Sequence, residues 1–196
     1  FSIAGHPEKI IFLTCDAYGV IPPIAKLNPN QAMYHFISGY TAKIAGTERG
    51  VDKPVATFSP CFGGPFLTLH PLKYAELLKN KIEQFETNIY MVNTGWVGNN
   101  AQSGEKRFSL PKTRLIIDSI LNGTIESSNF DKDPYFNFKT PKRLNGIESH
   151  LLNSQTAWNN SKKYDTAATE LVLKFQENYK KYDLGDEMVI LGGPNI

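Results

Sequence analysis

Residues 89–123 read IYMVNTGWVGNNAQSGEKRFSLPKTRLIIDSILNG. The stretch opens on an apolar run, residues 89–92, with the length and composition of a buried strand. A long loop over residues 93–109 follows, with Gly95, Gly98 and Gly104 set among small polar residues. A helical pattern starts at about Lys112, where Leu115, Ile116, Ile120 and Leu121 recur at three- and four-residue spacings. Gly123 stands where a left-handed helix stop is expected. Strand, glycine-bearing loop, basic dipeptide and helix form a layout that commonly handles phosphorylated ligands.

The basic dipeptide is Lys106-Arg107, followed by Phe108. A guanidinium stacks its flat face on a base or grips phosphate with a fork of donors. Phe108 offers an apolar wall, and Thr113 a hydroxyl able to read a ring nitrogen or an exocyclic amine. On pattern alone the commoner reading is blander: a solvated basic turn, a core phenylalanine and a helix-start threonine.

Outward from this stretch, the chain has 196 residues, near the upper end of one domain, and residues 1–196 are read as one. Hydrophobic residues make up 41%, enough for a sizeable core and against disorder. The net charge of +2, from 21 Lys+Arg and 19 Asp+Glu, sets up no strong field for a polyanion, so nucleic acid is not an expected partner. The two cysteines, Cys15 and Cys61, show neither a CxxC pairing nor a zinc spacing with the four histidines, which points to a reducing cytoplasm. No signal peptide or membrane span is visible. The abrupt start without methionine leads to the expectation of a piece cut from a longer protein.

Residues 10–14 are a strand candidate, after which Gly19, Pro22 and Pro23 turn the chain. Asp16, at that strand's end, either orients a metal or substrate or, more commonly, caps a turn. A helix begins at Asn28, with Pro29 at its first position and Gln31 completing a capping box. Its stripe is Met33, Phe36, Ile37, Tyr40 and Ile44, with Gly46 as its end and His35 and Lys43 on the solvated rim. Residues 46–66 are glycine- and proline-rich with little periodicity, the signature of a lid or binding loop, and Phe58, Phe62 and Phe66 argue against a merely solvated crossing. A second helix follows Pro71, residues 124–152 should wander over the surface, and a last helix spans about 161–182. No GxxxxGK[ST] loop, complete GxGxxG, HExxH or GxSxG is present, so no catalytic constellation is expected in this chain.

The blocks FLTCDAYGVIPP, QAMYHFISGYTAKIAGTERGV, CFGGPFLTLHPLKYAELL, VNTGWVG and KRFSLPKTRLIIDSILNG, in this order, resemble ATP-dependent phosphoenolpyruvate carboxykinase. The later DPYFNFKTPKRLNG and the final helix resemble the C-terminal end of that family, so the likeness covers nearly the whole chain. It implies an α/β fold: a mixed sheet with flanking helices, the distal part of a mononucleotide-binding C-terminal domain. It also implies an enzyme that converts oxaloacetate and ATP to phosphoenolpyruvate, carbon dioxide and ADP, with Mg2+ on the nucleotide and Mn2+ as a second metal.

Residue by residue, the resemblance implies ATP-binding roles for Arg107, Phe108 and Thr113, and places Phe66 near the nucleotide pocket. Gly46, Thr47, Glu48, Arg49 and Gly50 match the lid that closes over the substrates. The chain departs from the family pattern at Pro60, at Glu105 in place of a glycine, and over residues 99–103. The family's phosphate loop, metal ligands and oxaloacetate-binding arginines are expected in an upstream part of the same protein. The alternative is a non-catalytic nucleotide-binding or structural module reusing this domain.

Overall fold

The computed structural model describes residues 4–43, 55–104, 106–182 and 191–196. Among the described residues are seven strands: β1 Lys9–Thr14, β2 Ile24–Leu27, β3 Tyr40–Lys43, β4 Val55–Phe58, β5 Asn88–Asn93, β6 Phe130–Lys132 and β7 Lys139–Pro141. The α-helices are α1 Pro29–Ser38, α2 Pro71–Gln84, α3 Leu110–Leu121, α4 Ser149–Leu152, α5 Ser154–Ala157 and α6 Ser161–Lys180. Five strands form one mixed sheet in the order β1-β5-β2-β7-β6, and β3 and β4 pair separately. β1 and β5 run parallel in register from Lys9↔Asn88 to Thr14↔Asn93, while β2 is antiparallel to β5. The implied fold class, a mixed sheet with flanking helices, is the one observed.

β5 explains why the sheet needs helices on both sides. Alternate residues of a strand face opposite ways. Ile89 and Met91 enter the larger core with α1, α2 and α6, while Tyr90 and Val92 enter a second core with Ile116 and Ile120 of α3. A strand covered on both faces reads as a continuous apolar run, which is how residues 89–92 read.

α1 starts as its capping box requires: Asn28 Oδ1 accepts from Gln31 N at 2.8 Å, and Gln31 Oε1 accepts from Asn28 N at 3.0 Å. It does not run to Gly46. Gly39 adopts φ +51° and its N–H caps His35 O at 2.9 Å, so Tyr40–Lys43 leaves as β3 and pairs with Val55–Phe58. The backbone of Ser59 lies over Gly39, where an added Cβ would meet Ser59 O at 1.7 Å. Glycine alone fits both the left-handed turn and this contact.

Several sequence-based expectations change here. His35 is not a rim residue: it is 2% exposed, among Phe136, Phe138 and Phe175, because α6 covers the side of α1 opposite the sheet. Residues 124–152 do not merely wander. β7 joins the central sheet, and Phe136 and Phe138 are fully buried behind a turn in which Asp133 Oδ1 accepts from Phe136 N at 2.6 Å. Strands of three residues carry too little periodicity to be read. β2 also went unpredicted, hidden behind Pro22 and Pro23.

Residues 46–50, expected as the lid, lie outside the described residues. The described part of the stretch, residues 55–66, is more regular than expected, with β4 followed by 3-10 turns at Pro60–Phe62 and Gly64–Phe66. Two of its aromatics have packing duties: Phe58 meets Tyr40 and Phe175, and Phe62 meets Phe12 and Phe36.

Candidate functional site

The carboxyl ends of two adjacent parallel strands are where open α/β sheets place ligands, because the loops diverge there. β1 and β5 end together at Thr14 and Asn93. Asn93 is fully buried and knots the loops that leave them. Its Oδ1 accepts from Asp16 N at 2.9 Å and Gly95 N at 2.8 Å, and its Nδ2 donates to Ile21 O at 2.8 Å and Trp96 O at 3.1 Å. Gly95 lies so close to the backbone of Asp16 that an added Cβ would stand 2.2 Å from Asp16 O. Further along, Ala101 N donates to Ala17 O at 2.9 Å, and Trp158 Nε1 to Gly19 O at 2.8 Å. The glycine-bearing loop is therefore pinned at several points.

Asp16 belongs to this scaffold as a turn cap. Its carboxyl accepts from Tyr18 N, Val20 N and Ile21 N and from the Tyr40 hydroxyl at 2.6 Å. Burial raises its pKa, and these donors hold it back. With its oxygens so engaged, Asp16 is not arranged as a metal or substrate ligand.

The expected site residues sit on the rim of this scaffold. Arg107 is exposed, yet its guanidinium is not loose: Nε donates to Thr94 O at 2.9 Å and Nη2 to Thr94 Oγ1 at 3.2 Å. Phe108 N donates to Gly95 O at 2.7 Å, so its N–H is committed to the scaffold, while its ring packs against the α3 core. Thr113 is buried, and its hydroxyl donates to Ser109 O at 3.2 Å. Ser109 caps α3, its Oγ accepting from Lys112 N at 3.4 Å. One short segment thus carries Arg107, Phe108 and Thr113 around the N-terminus of α3, the end of a helix that favours negative charge.

Phe66 is not gathered in. It is 88% exposed on its 3-10 turn and takes part in none of the ring contacts among the described residues. Two concavities, of about 720 Å³ and 870 Å³, lie elsewhere, beyond the far end of α3 and beside β6 and β7, and neither includes Arg107, Phe108 or Thr113. Among the described residues no group of three or more His, Cys, Asp or Glu side chains is placed to hold a metal ion. Nor is any described helix long and apolar enough to cross a membrane.

Cys15 completes the local electrostatics. Burial pushes its thiol up; the nearby Arg107 charge pulls it partly back, and the charge of Asp16 adds to the rise. Residue reading missed Asn93 and Thr94. The available signal was an amide and a hydroxyl between a buried strand and a glycine, which is where a chain reverses at a strand's carboxyl end.

The model of the phosphoenolpyruvate carboxykinase family matches residues 1–150. The chain belongs to the phosphoenolpyruvate carboxykinase family. A carboxykinase of Leptospira biflexa, named phosphoenolpyruvate carboxykinase (ATP), is 55% identical over 186 residues, covering 95% of this chain and 35% of that protein. The protein of the same name from Caldanaerobacter subterraneus is 48% identical over 192 residues, covering 98% of this chain and 37% of the relative. The Candida glabrata carboxykinase is 48% identical over 193 residues, covering 97% and 36%. The chain therefore spans about a third of the length of these carboxykinase relatives.

Proposed function

We propose that this chain supplies the adenine-nucleotide shelf, and part of the lid, of an ATP-dependent phosphoenolpyruvate carboxykinase. In the whole protein, oxaloacetate loses carbon dioxide and leaves an enolate. The enolate oxygen attacks the γ-phosphorus of ATP, the bond to the departing ADP oxygen breaks, and phosphoenolpyruvate forms. Such phosphoryl transfer rests mainly on positioning and charge neutralisation. The described residues offer no group of three or more His, Cys, Asp or Glu side chains for the Mg2+ and Mn2+ that the family resemblance implies.

The observation that carries this reading is the pinned guanidinium of Arg107 beside the α3 N-terminus, at the shared carboxyl end of β1 and β5. An exposed guanidinium held in this way is suited to stack on a base. Phe108 N–H is committed to Gly95, while its carbonyl accepts from no main-chain N–H outside helices and strands among the described residues and is offered to the nucleotide. Thr113 keeps lone pairs on its hydroxyl oxygen, because that hydroxyl acts as donor to Ser109. Phe66, standing free, is suited to wall the nucleotide from outside.

Arg107→Ala in the whole protein tests this. A guanidinium stacked on an aromatic system contributes about 0.5–2 kcal/mol, so the ATP dissociation constant should rise roughly two- to thirtyfold with oxaloacetate binding nearly unchanged. Arg107→Lys should rescue little, because a point charge does not reproduce a planar stack. Unchanged ATP affinity in the alanine variant would return Arg107 to the role of a solvated turn.

A further inference from the structure

Among the described residues the Arg107 side chain donates two hydrogen bonds, both to Thr94, one to its carbonyl and one to its hydroxyl. The Thr94 hydroxyl is not a loose end either. It donates to Thr14 O at 3.0 Å, and Thr94 N donates to the same carbonyl at 2.8 Å. A continuous chain of hydrogen bonds therefore runs from the guanidinium through Thr94 to the last residue of β1. The Thr94 hydroxyl is its middle link, accepting from Arg107 while donating to Thr14.

A long exposed arginine ordinarily surrenders much rotamer freedom on binding a ligand, and a site that has already spent that freedom binds tighter. The bonds to Thr94 use Nε and Nη2, and among the described residues Nη1 of this exposed side chain donates to no partner.

We infer that Thr94 is a positioning residue for the nucleotide, holding Arg107 in its stacking conformation before ATP arrives. This rests on the reading of Arg107 as a base-binding residue. A merely structural Thr94 would stitch the ends of β1 and β5 together and affect stability alone. Its main-chain N–H already makes that stitch and survives any side-chain replacement.

The test compares Thr94→Val, which keeps the shape and loses the hydroxyl, with Thr94→Ser, which keeps the hydroxyl. Each is made in the whole protein with Arg107 and with Arg107→Ala, and ATP affinity is read by titration calorimetry beside the melting temperature. With Arg107 present, Thr94→Val should raise the ATP dissociation constant about three- to tenfold, the effect of one ordinary hydrogen bond, because Arg107 is exposed and keeps its bond to the Thr94 carbonyl. Thr94→Ser should stay within about twofold, and in the Arg107→Ala background Thr94→Val should add less than about twofold. If Thr94→Val does not fold, Thr94→Ala takes its place. Slowed solvent exchange of the Arg107 Nη2 protons in the unliganded protein, seen by nitrogen-edited NMR, gives a second readout that should persist with serine and vanish without the hydroxyl, because Nη2 is the nitrogen bonded to it.

Unchanged affinity in Thr94→Val while Arg107→Ala is weakened would overturn the positioning role and leave the nucleotide reading standing. Equal losses from Thr94→Val with and without Arg107 would also overturn it, as the mark of a structural effect. Unchanged affinity in Arg107→Ala would bring down the nucleotide reading and this inference together.

Discussion

The side-chain oxygen of Asn93 accepts the main-chain N–H of Asp16 at 2.9 Å and so ties the end of β5 to the turn beyond β1. The same side chain holds Gly95, Ile21 and Trp96. The rim on which Thr94 and Arg107 sit inherits its shape from this one amide.

Asn93→Leu should therefore be among the costly substitutions in the chain. It strands the N–H groups of Asp16 and Gly95 and the carbonyls of Ile21 and Trp96 in a dry site. Each buried group left unsatisfied costs about 1–3 kcal/mol, and with partial relaxation a net loss of about 3–5 kcal/mol is expected. Urea unfolding would measure it, and a loss below about 1 kcal/mol would show that the knot is not what holds the loops.

His35 gives stability a dependence on pH. Burial among aromatic rings lowers its pKa from 6.5 to about 3, and its Nε2 has no hydrogen-bond partner. The unfolded imidazole binds its proton near pH 6.5 and the folded one near 3, so between these values the unfolded state holds more protons. Stability fully present above about pH 6.5 is therefore lost progressively as pH falls towards 3. By pH 5 about 2 kcal/mol of it is lost, from about 1.5 pH units at 1.36 kcal/mol each. His35→Phe should remove this slope, so the stability difference between variant and parent should grow by that amount from pH 7 to pH 5. Parallel pH profiles for the two proteins would contradict the assignment.

Much of the sheet was legible because both its parallel strands are continuous apolar runs and α1 carries its own capping box. The errors have physical causes. The stripe through Tyr40 and Ile44 suggested a longer helix, but periodicity does not register that Gly39 turns left-handed beneath the Ser59 backbone. His35 was placed on the rim because a single stripe was assumed, whereas α6, far along the chain, buries the opposite side of α1. β6 and β7 are too short to show a period.

In the site, Arg107, Phe108 and Thr113 were legible as one strand–loop–helix unit. Thr94 and Asn93 were not, because what fixes their place is hydrogen bonds to residues some 70–80 positions away, such as Thr14 and Ile21, beside the nearer ones to Arg107, Gly95 and Trp96. Local pattern carries no trace of such partners.

The central claim is that an adenine base rests against the rim formed by Thr94, Arg107 and Phe108. Photolabelling of the whole protein with an azidoadenosine triphosphate, followed by peptide mapping, addresses it most directly. The label should fall on peptides spanning residues 93–113 and be suppressed by excess ATP. Suppressible labelling confined to peptides outside that span would contradict the account.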